Sequence, residues 1–417
     1  MKGGALNVLV ANRSNGERLS LGASWTKEEL VKIRSNDKFH CPQCKEEVIL
    51  KLGSRKIWHF SHLAGSSCES RYDRESEYHL SGKLQLYNWL IHQGINAELE
   101  KYDEQIRQKP DITFEWQNQK YALEFQCSVI PEELFVKRNS AYLENDYIPV
   151  WIAAESLIKR KGSFTVSMNQ FLYLFLRQPE RTWSLPAYCP ITKQFVVLHG
   201  AIPLSSRKTL TNLQIHPLST CSINQLINPV AKPFPMLKSW QTENQKIKSR
   251  YLMYPGAQNN RFLQDLYLNR LNLLTLPPEI GLPVYSSPFI ETPSFIWQAY
   301  LYLDVLRHYK AGEVIHYPTI REAFNKRLRT GDILLRNLPA SGERTYLYAL
   351  AEYIFLLTKV TFLTKIDSGT VKVKRELCLH GNYQDAVESA AEFFKRFQNK
   401  IEEDFFQRHE KIVQSVK

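Results

Sequence analysis

Hydrophobic and polar positions follow three different rhythms along the chain. The first 70 residues are turn-rich, with short strand-like runs at Ala5–Ala11 and Val48–Leu52. From Glu75 to Ile91 the spacing turns helical, with Leu80, Leu84, Tyr87 and Ile91 on one stripe. Residues 111–152 read as strand, strand, helix, strand. In the first two strands Ile112, Phe114 and Trp116 alternate with Asp111, Thr113 and Glu115. Tyr121, Leu123, Phe125 and Cys127 likewise alternate with Glu124, Gln126 and Ser128. Residues 182–227 carry short β-like pieces such as Gln194–Leu198.

Pro229, Pro233 and Pro235 mark a linker, and beyond them the pattern is mainly helical. Thr292-Pro293 reads as an N-cap with proline at the first helical position, opening a helix over Phe295–Tyr309. The last helix shows Val387, Ala390, Phe394, Phe397, Ile401 and Phe405 at helical spacing. The expected fold class is therefore α+β. It divides into a turn-rich N-terminal module over 1–70, a core of strands and helices over 71–156, a mixed β and linker region over 157–235, and a mainly helical domain over 236–417.

Composition narrows the class. Hydrophobic residues make up 43% and charged residues 23% of the 417 positions, which excludes a disordered chain, a collagen or a coiled-coil rod. The most apolar stretch, 346–363, is interrupted by Glu352 and Lys359, so no membrane span is expected. Seven cysteines are too few for a disulfide scaffold, and the N-terminus lacks a signal-peptide core. The expectation is a cytoplasmic protein with reduced thiols. Lys and Arg number 54 against 42 Asp and Glu, leaving a charge of +12 that suits a polyanionic partner.

Three of the cysteines gather in one place. Cys41-Pro-Gln-Cys44 is followed by His59-Phe-Ser-His62 and Cys68. Zinc takes about four thiolate or imidazole ligands in a tetrahedron, and a Cys-x-x-Cys turn supplies two from one knuckle. His59, His62 and Cys68 compete for the other two places. If residues 57–61 form a strand, His59 and His62 point to opposite faces. A redox Cys-x-x-Cys is the alternative, but it normally opens a helix in a βαβ context. A structural zinc site is expected.

The alternating hairpin carries the second piece of chemistry. A turn around Asn118-Gln119 would set Asp111 opposite Gln126, with Glu124 its diagonal neighbour. Diagonal neighbours lie roughly 7–8 Å apart at the backbone. Two carboxylates so placed repel unless a cation or proton separates them, and hard oxygen ligands suit Mg²⁺ or Mn²⁺. Such an ion activates water and stabilises charge on a phosphodiester. On the preceding helix, Glu75, His79 and Lys83 share one face at i, i+4, i+8. Alternation alone equally describes a hairpin with one solvated face.

Together these residues resemble the competence protein CoiA family. The resemblance rests on Glu75-Ser76-x-x-His79-x-x-x-Lys83, Lys109-Pro110-Asp111-Ile112 and Ala122-Leu123-Glu124-Phe125-Gln126-Cys127-Ser128. The Cys41/Cys44 and His59/His62 pairs, Arg138, Tyr142 and Val150-Trp151-Ile152 extend it, so the strong motifs cover about residues 40–155. The resemblance implies a zinc-ribbon-like N-terminal module and a mixed-sheet PD-(D/E)xK nuclease-like core acting on DNA in natural transformation, beside recombination proteins with RecA foremost. It implies that Glu75, Asp111 and Glu124 hold a divalent metal, while His79 and Lys83 assist or contact phosphate and Gln126 stands where a lysine is usual. Gln126 keeps hydrogen-bonding capacity without the charge that orients water or neutralises a transition state. Lys83 would supply that charge from the helix; otherwise the core binds DNA without cutting it.

Lys83, Ser128 and Arg138 are the candidate DNA contacts of the core. Basic groups at Lys159-Arg160-Lys161, Lys246/Lys248/Arg250, Lys326-Arg327/Arg329 and Lys372/Lys374/Arg375 would add phosphate contacts elsewhere. Three functions are consistent with this pattern. They are a metal-dependent DNA nuclease, a non-catalytic DNA-binding recombination mediator on a degenerate nuclease fold, and a zinc-stabilised interaction scaffold.

Overall fold

A computed structural model describes residues 7–63, 66, 68, 76–179, 183–230, 232–342 and 345–406, the side chains of Asp404 and Phe406 excepted. The chain divides into two units. The first takes the chain up to Ile158 with Leu174–Leu198 and Leu213–Val230; the second takes Lys159–Tyr173, His199–Asn212 and the chain from Ala231.

The first unit opens with β1 (Asn7–Val8), β2 (Val10–Arg13), β3 (Arg18–Ser20), α1 (Lys27–Asn36), β4 (Phe39–His40), β5 (Glu47–Lys51) and β6 (His59–His62). The six strands form one sheet in the order β1-β6-β5-β4-β2-β3. Helix α1 starts at a capping box in which Thr26 and Glu29 satisfy each other's backbone N–H groups. Val48 and Leu50 alternate inward from β5 onto Leu30, Phe39 and Phe60.

The chain continues through α2 (Glu77–His92), β7 (Ala97–Leu99), β8 (Ile112–Trp116), β9 (Gln119–Gln126), α3 (Glu132–Leu143) and β10 (Tyr147–Ala154). Within the second unit β11 (Lys159–Gly162) pairs antiparallel with β12 (Thr165–Ser167). After α4 (Gln170–Leu174) the chain forms β13 (Ser184–Cys189). Strands β14 (Gln194–Pro203) and β15 (Lys208–Pro217) contribute residues to both units, and α5 (Ile223–Ile227) completes the first.

In the first unit the strand order is β14-β13-β10-β9-β8-β7. Strand β10 runs parallel to both β9 and β13, while β7, β8 and β9 are antiparallel, so the sheet is mixed as expected. One sheet face receives α2, where Leu80, Leu86, Trp89 and Leu90 meet Leu123, Phe125, Val150 and Ile152. Gly82 makes that approach possible, because a Cβ there would lie 2.1 Å from the Phe125 ring. The other face receives α3, whose Phe135 stacks on Trp151 with ring centroids 4.1 Å apart.

The hairpin turn lies at Gln117-Asn118, both at positive φ, one residue earlier than the sequence suggested. Ile112 pairs with Leu123 and Trp116 with Gln119, so partner numbers sum to 235. Extended by one position, this register sets Asp111 against Glu124 rather than Gln126. A two-residue shift preserves facing parity, which is why the in-out assignment of the hairpin survives.

The second unit contains α6 (Met236–Met253), α7 (Arg261–Leu268), α8 (Ser294–Asp304), β16 (Val314–His316), α9 (Tyr317–Arg329), α10 (Tyr346–Lys359), β17 (Leu363–Lys365), β18 (Thr370–Val373) and α11 (Tyr383–Phe406). The three strands form a small sheet in the order β16-β18-β17. Helix α8 ends at Asp304, earlier than the expected Tyr309, and Pro293 rather than Thr292 takes its N-cap position. Thr292 Oγ1 instead accepts from Leu334 N at 2.8 Å. The buried stripe of α11 runs through Ala386, Phe393, Phe397, Ile401 and Phe405, leaving Val387 largely exposed. No helix among the described residues is long and apolar enough to cross a membrane.

Candidate functional site

The cysteine–histidine cluster forms where two turns of the N-terminal sheet converge. Cys41 and Cys44 occupy the tight connection from β4 to β5. Cys41 N donates to Glu46 O at 2.9 Å, Lys45 N donates to Cys41 O at 3.0 Å, and Lys45 adopts a positive φ. His62 ends β6, and its Nε2 lies 3.5 Å from Cys44 Sγ. Cys68 completes the group. One ligand atom from each of Cys41, Cys44, His62 and Cys68 lies within 4.8 Å of all the others. A tetrahedral thiolate shell at about 2.3 Å from zinc has ligand–ligand edges of about 3.8 Å, so the four residues fit a metal ion of this kind.

The electrostatics fit as well. Burial opposes ionisation of Cys41, yet hydrogen bonds from His62 and the Cys44 and Gln43 backbone bring its thiol down to about 6. Cys44 is then pushed up to about 12, by burial and by the charge on Cys41. A cation bound between the two sulfurs would relieve that repulsion and let both ionise. His59 lies on the opposite side of β6, where its Nδ1 is 2.8 Å from Ile57 O. Of the five candidates it is the one that stays outside the cluster, as strand alternation requires.

The nuclease-like centre draws on α2, the segment after β7 and the hairpin. Asp111 sits just before β8 and is 8% exposed. Its Oδ2 accepts from Phe125 N at 2.8 Å and lies 3.2 Å from His79 Nε2. Its Oδ1 is 3.4 Å from Lys83 Nζ. Lys83 is fully buried and also binds Glu100 Oε1 at 2.5 Å, while Glu100 Oε2 accepts from Leu9 N at 2.9 Å. The i, i+4 spacing of His79 and Lys83 thus delivers both to one carboxylate. Burial alone would raise the Asp111 carboxyl, but Lys83, His79 and the Phe125 N–H hold it far below the usual carboxylate range. Glu100 is lowered too, Lys83 and Lys109 outweighing its burial.

Glu124 engages a different element. It is 2% exposed, and its Oε1 accepts from Arg138 Nη2 at 2.5 Å and from the Tyr142 hydroxyl, both on α3. Burial and the Glu124 charge push the Tyr142 hydroxyl well above its ordinary value, so it stays a donor. Trp151 lies beneath, with the Arg138 guanidinium 5.5 Å from its ring centroid. Gln126 is 8% exposed, and its Nε2 donates to Ser128 O at 2.9 Å. The face carrying these polar residues is therefore covered rather than solvated.

These placements redistribute the expected roles. Asp111 is a carboxylate beside an imidazole, with Oδ2 engaged by His79 and the Phe125 N–H and Oδ1 facing Lys83. Glu124 Oε1 is already engaged by Arg138 and Tyr142, so an ion at that atom would have to replace those contacts. Glu75 lies outside the described residues. Lys83 has no exposed surface, so the role open to it is charge balance within the core rather than phosphate contact. Arg138 is turned inward onto Glu124, and Ser128 is exposed. Among the distal basic groups, Lys159-Arg160-Lys161 lies exposed on β11, whereas Lys248 is 7% exposed and cannot serve as a surface phosphate contact. Glu100 was missed from the sequence. It stands at a positive φ outside any strand, and nothing in its local spacing links it to Lys83.

Comparison with known proteins places this geometry in a lineage. Residues 22–71 match the family described as competence protein CoiA, N-terminal domain. Residues 75–231 match its nuclease-like domain, and residues 236–387 its C-terminal domain. The chain is 29% identical to "Competence protein CoiA" of Bacillus subtilis (strain 168) over 353 residues, covering 84% of this chain and 94% of that protein. No solved structure matches it. With all three domains matched in order around a metal-competent Cys/His cluster and a buried polar core, the chain belongs to the CoiA family of competence proteins.

Proposed function

We propose that this chain acts on DNA taken up in natural transformation, and that its nuclease-like core hydrolyses phosphodiester bonds with Mg²⁺ or Mn²⁺. The observation that supports this reading is Asp111, a carboxylate kept ionised inside the core and shared by His79, Lys83 and a backbone N–H. Burying an ionised group is costly unless its surroundings are built for it. Asp111 would hold the divalent ion, with Glu75 as the proposed helix-side ligand. The ion would supply Lewis-acid stabilisation of charge on the phosphoryl oxygens. Lys83 fixes the Asp111 carboxylate and balances Glu100. His79 holds a proton position beside Asp111 Oδ2, where it can orient the carboxylate or carry a proton. Gln126 offers an amide where a cation is usual, tethered to Ser128 O.

Zinc in the Cys41, Cys44, His62 and Cys68 cluster has a structural part in this proposal, since four protein ligands leave it no open position. The proposed partners are single-stranded or branched DNA and the recombination machinery, RecA foremost. If purified RecA fails to bind the chain with and without single-stranded DNA, that partner is withdrawn.

A second reading has its own observation. Glu124 is held by Arg138 and Tyr142, which favours a core that binds DNA without cutting it. Purified chain incubated with branched and single-stranded DNA plus Mn²⁺ separates the two. Cleavage that disappears in Asp111→Asn supports the nuclease. Retention of DNA without cleavage, unchanged by that substitution, supports the mediator.

A further inference from the structure

Helix α6 carries a lysine that the functions above do not use. Lys248 is 7% exposed, and among the described residues no carboxylate or hydrogen-bond acceptor meets its ammonium. The Phe295 ring lies beside it, with Nζ 5.9 Å from the centroid. The side chain lines a cavity of about 50 Å³ bounded by α6, residues 274–281 and α11. Leu276, Ile280 and Phe394 form apolar walls, while Gln241 and the exposed Gln245 stand at the rim. Two side chains of α6 tie that helix to residues 274–281. Trp240 Nε1 and Asn244 Nδ2 both donate to Gly281 O, at 3.0 and 3.5 Å. Gly281 adopts a positive φ, and a Cβ there would crowd both Asn244 and Phe295 at 3.2 Å.

A buried ammonium with no counter-charge is the arrangement proteins ordinarily avoid. No carboxylate stands among the residues that line the cavity, so none of them balances the charge. A space of this size holds a few waters or one small oxyanion. We infer that this cavity is a binding site for a small oxyanion of carboxylate size, held by Lys248 with the Gln241 and Gln245 amides at its mouth. Burial without a partner lowers the Lys248 ammonium to about 8, consistent with a group that awaits its counter-charge.

A buried lysine without a counter-charge gives up its proton more readily, so its acylation by a small reagent is a readout on the unmodified full chain. Acylation of Lys248 is followed by peptide mass mapping in sodium acetate and in sodium chloride at equal ionic strength. At twice its dissociation constant, acetate should slow that reaction about threefold relative to chloride. Exposed lysines such as Lys246 should be unaffected. Thermal unfolding of wild type and Lys248→Met gives the second arm: acetate should raise the midpoint of wild type only. Equal acylation rates in the two salts overturn the inference, as does an acetate-dependent rise retained in Lys248→Met.

Discussion

Replacing Lys83 by methionine isolates the charge at the centre of the core. Methionine keeps much of the length and apolar volume of lysine but removes the ammonium. In the native chain that ammonium lies 2.5 Å from Glu100 and 3.4 Å from Asp111, with no exposed surface. The substitution leaves two buried carboxylates without their shared cation. Removing one partner of a buried ion pair costs about 3–5 kcal/mol. At roughly 2–4 °C per kcal/mol for a unit of this size, the unfolding midpoint should fall by about 6–20 °C. The pH dependence distinguishes charge from packing.

In wild type the lowered Asp111 and Glu100 carboxyls contribute stability that is present above the ordinary carboxylate range and lost as pH falls through it. In Lys83→Met, burial is no longer outweighed, so both carboxyls rise and the folded state binds protons more readily than the unfolded one. The deficit of the variant should therefore be larger near about pH 8 than near about pH 5. Adding Glu100→Gln to Lys83→Met should recover part of the loss. Urea unfolding of wild type, single and double variants at both pH values measures each term. A deficit below about 1 kcal/mol, or one that does not change with pH, would refute the assignment of Lys83 as the charge anchor.

Three further outcomes follow from the same geometry. Elemental analysis should find about one zinc per chain, retained in His59→Ala and lost in His62→Ala or Cys68→Ala; retention in the last two would move the site elsewhere. Gly82→Ala should destabilise the core by about 1–3 kcal/mol, because the added methyl enters the Phe125 ring; denaturant titration showing a stabilised variant would contradict the α2 packing. Arg138→Met should be strongly destabilising, by about 3–5 kcal/mol, and Arg138→Met with Glu124→Gln much less so. Additive effects in that double variant would deny the coupling of Glu124 to Arg138.

Periodicity made much of this legible. The 3.6-residue repeat put His79 and Lys83 on one helical face, and both meet Asp111. The two-residue repeat separated His59 from His62, and only His62 joins the thiols. The hairpin turn was misplaced because Gln117-Asn118 carries no glycine to announce its positive φ values. Even so, a shift of two residues kept the alternation within the two strands, although Asp111, just before β8, meets α2 while Glu124 meets α3 on the other face. Other features depend on tertiary contacts that spacing does not encode. Glu100 reaches Lys83 across the fold, and α3 covers the hairpin face that alternation alone reads as solvated. Lys248 looked like one member of a basic run, because its burial depends on α11 and residues 274–281.

The central claim is that Asp111 supports divalent-ion-dependent hydrolysis of DNA. Its most direct test is single-turnover cleavage of end-labelled branched DNA by purified wild type and Asp111→Asn, each with Mn²⁺ and with a chelator. The account predicts cleavage by wild type only in Mn²⁺, and none by Asp111→Asn when that variant retains its fold. Absence of cleavage by wild type, or an undiminished rate in Asp111→Asn, would contradict it.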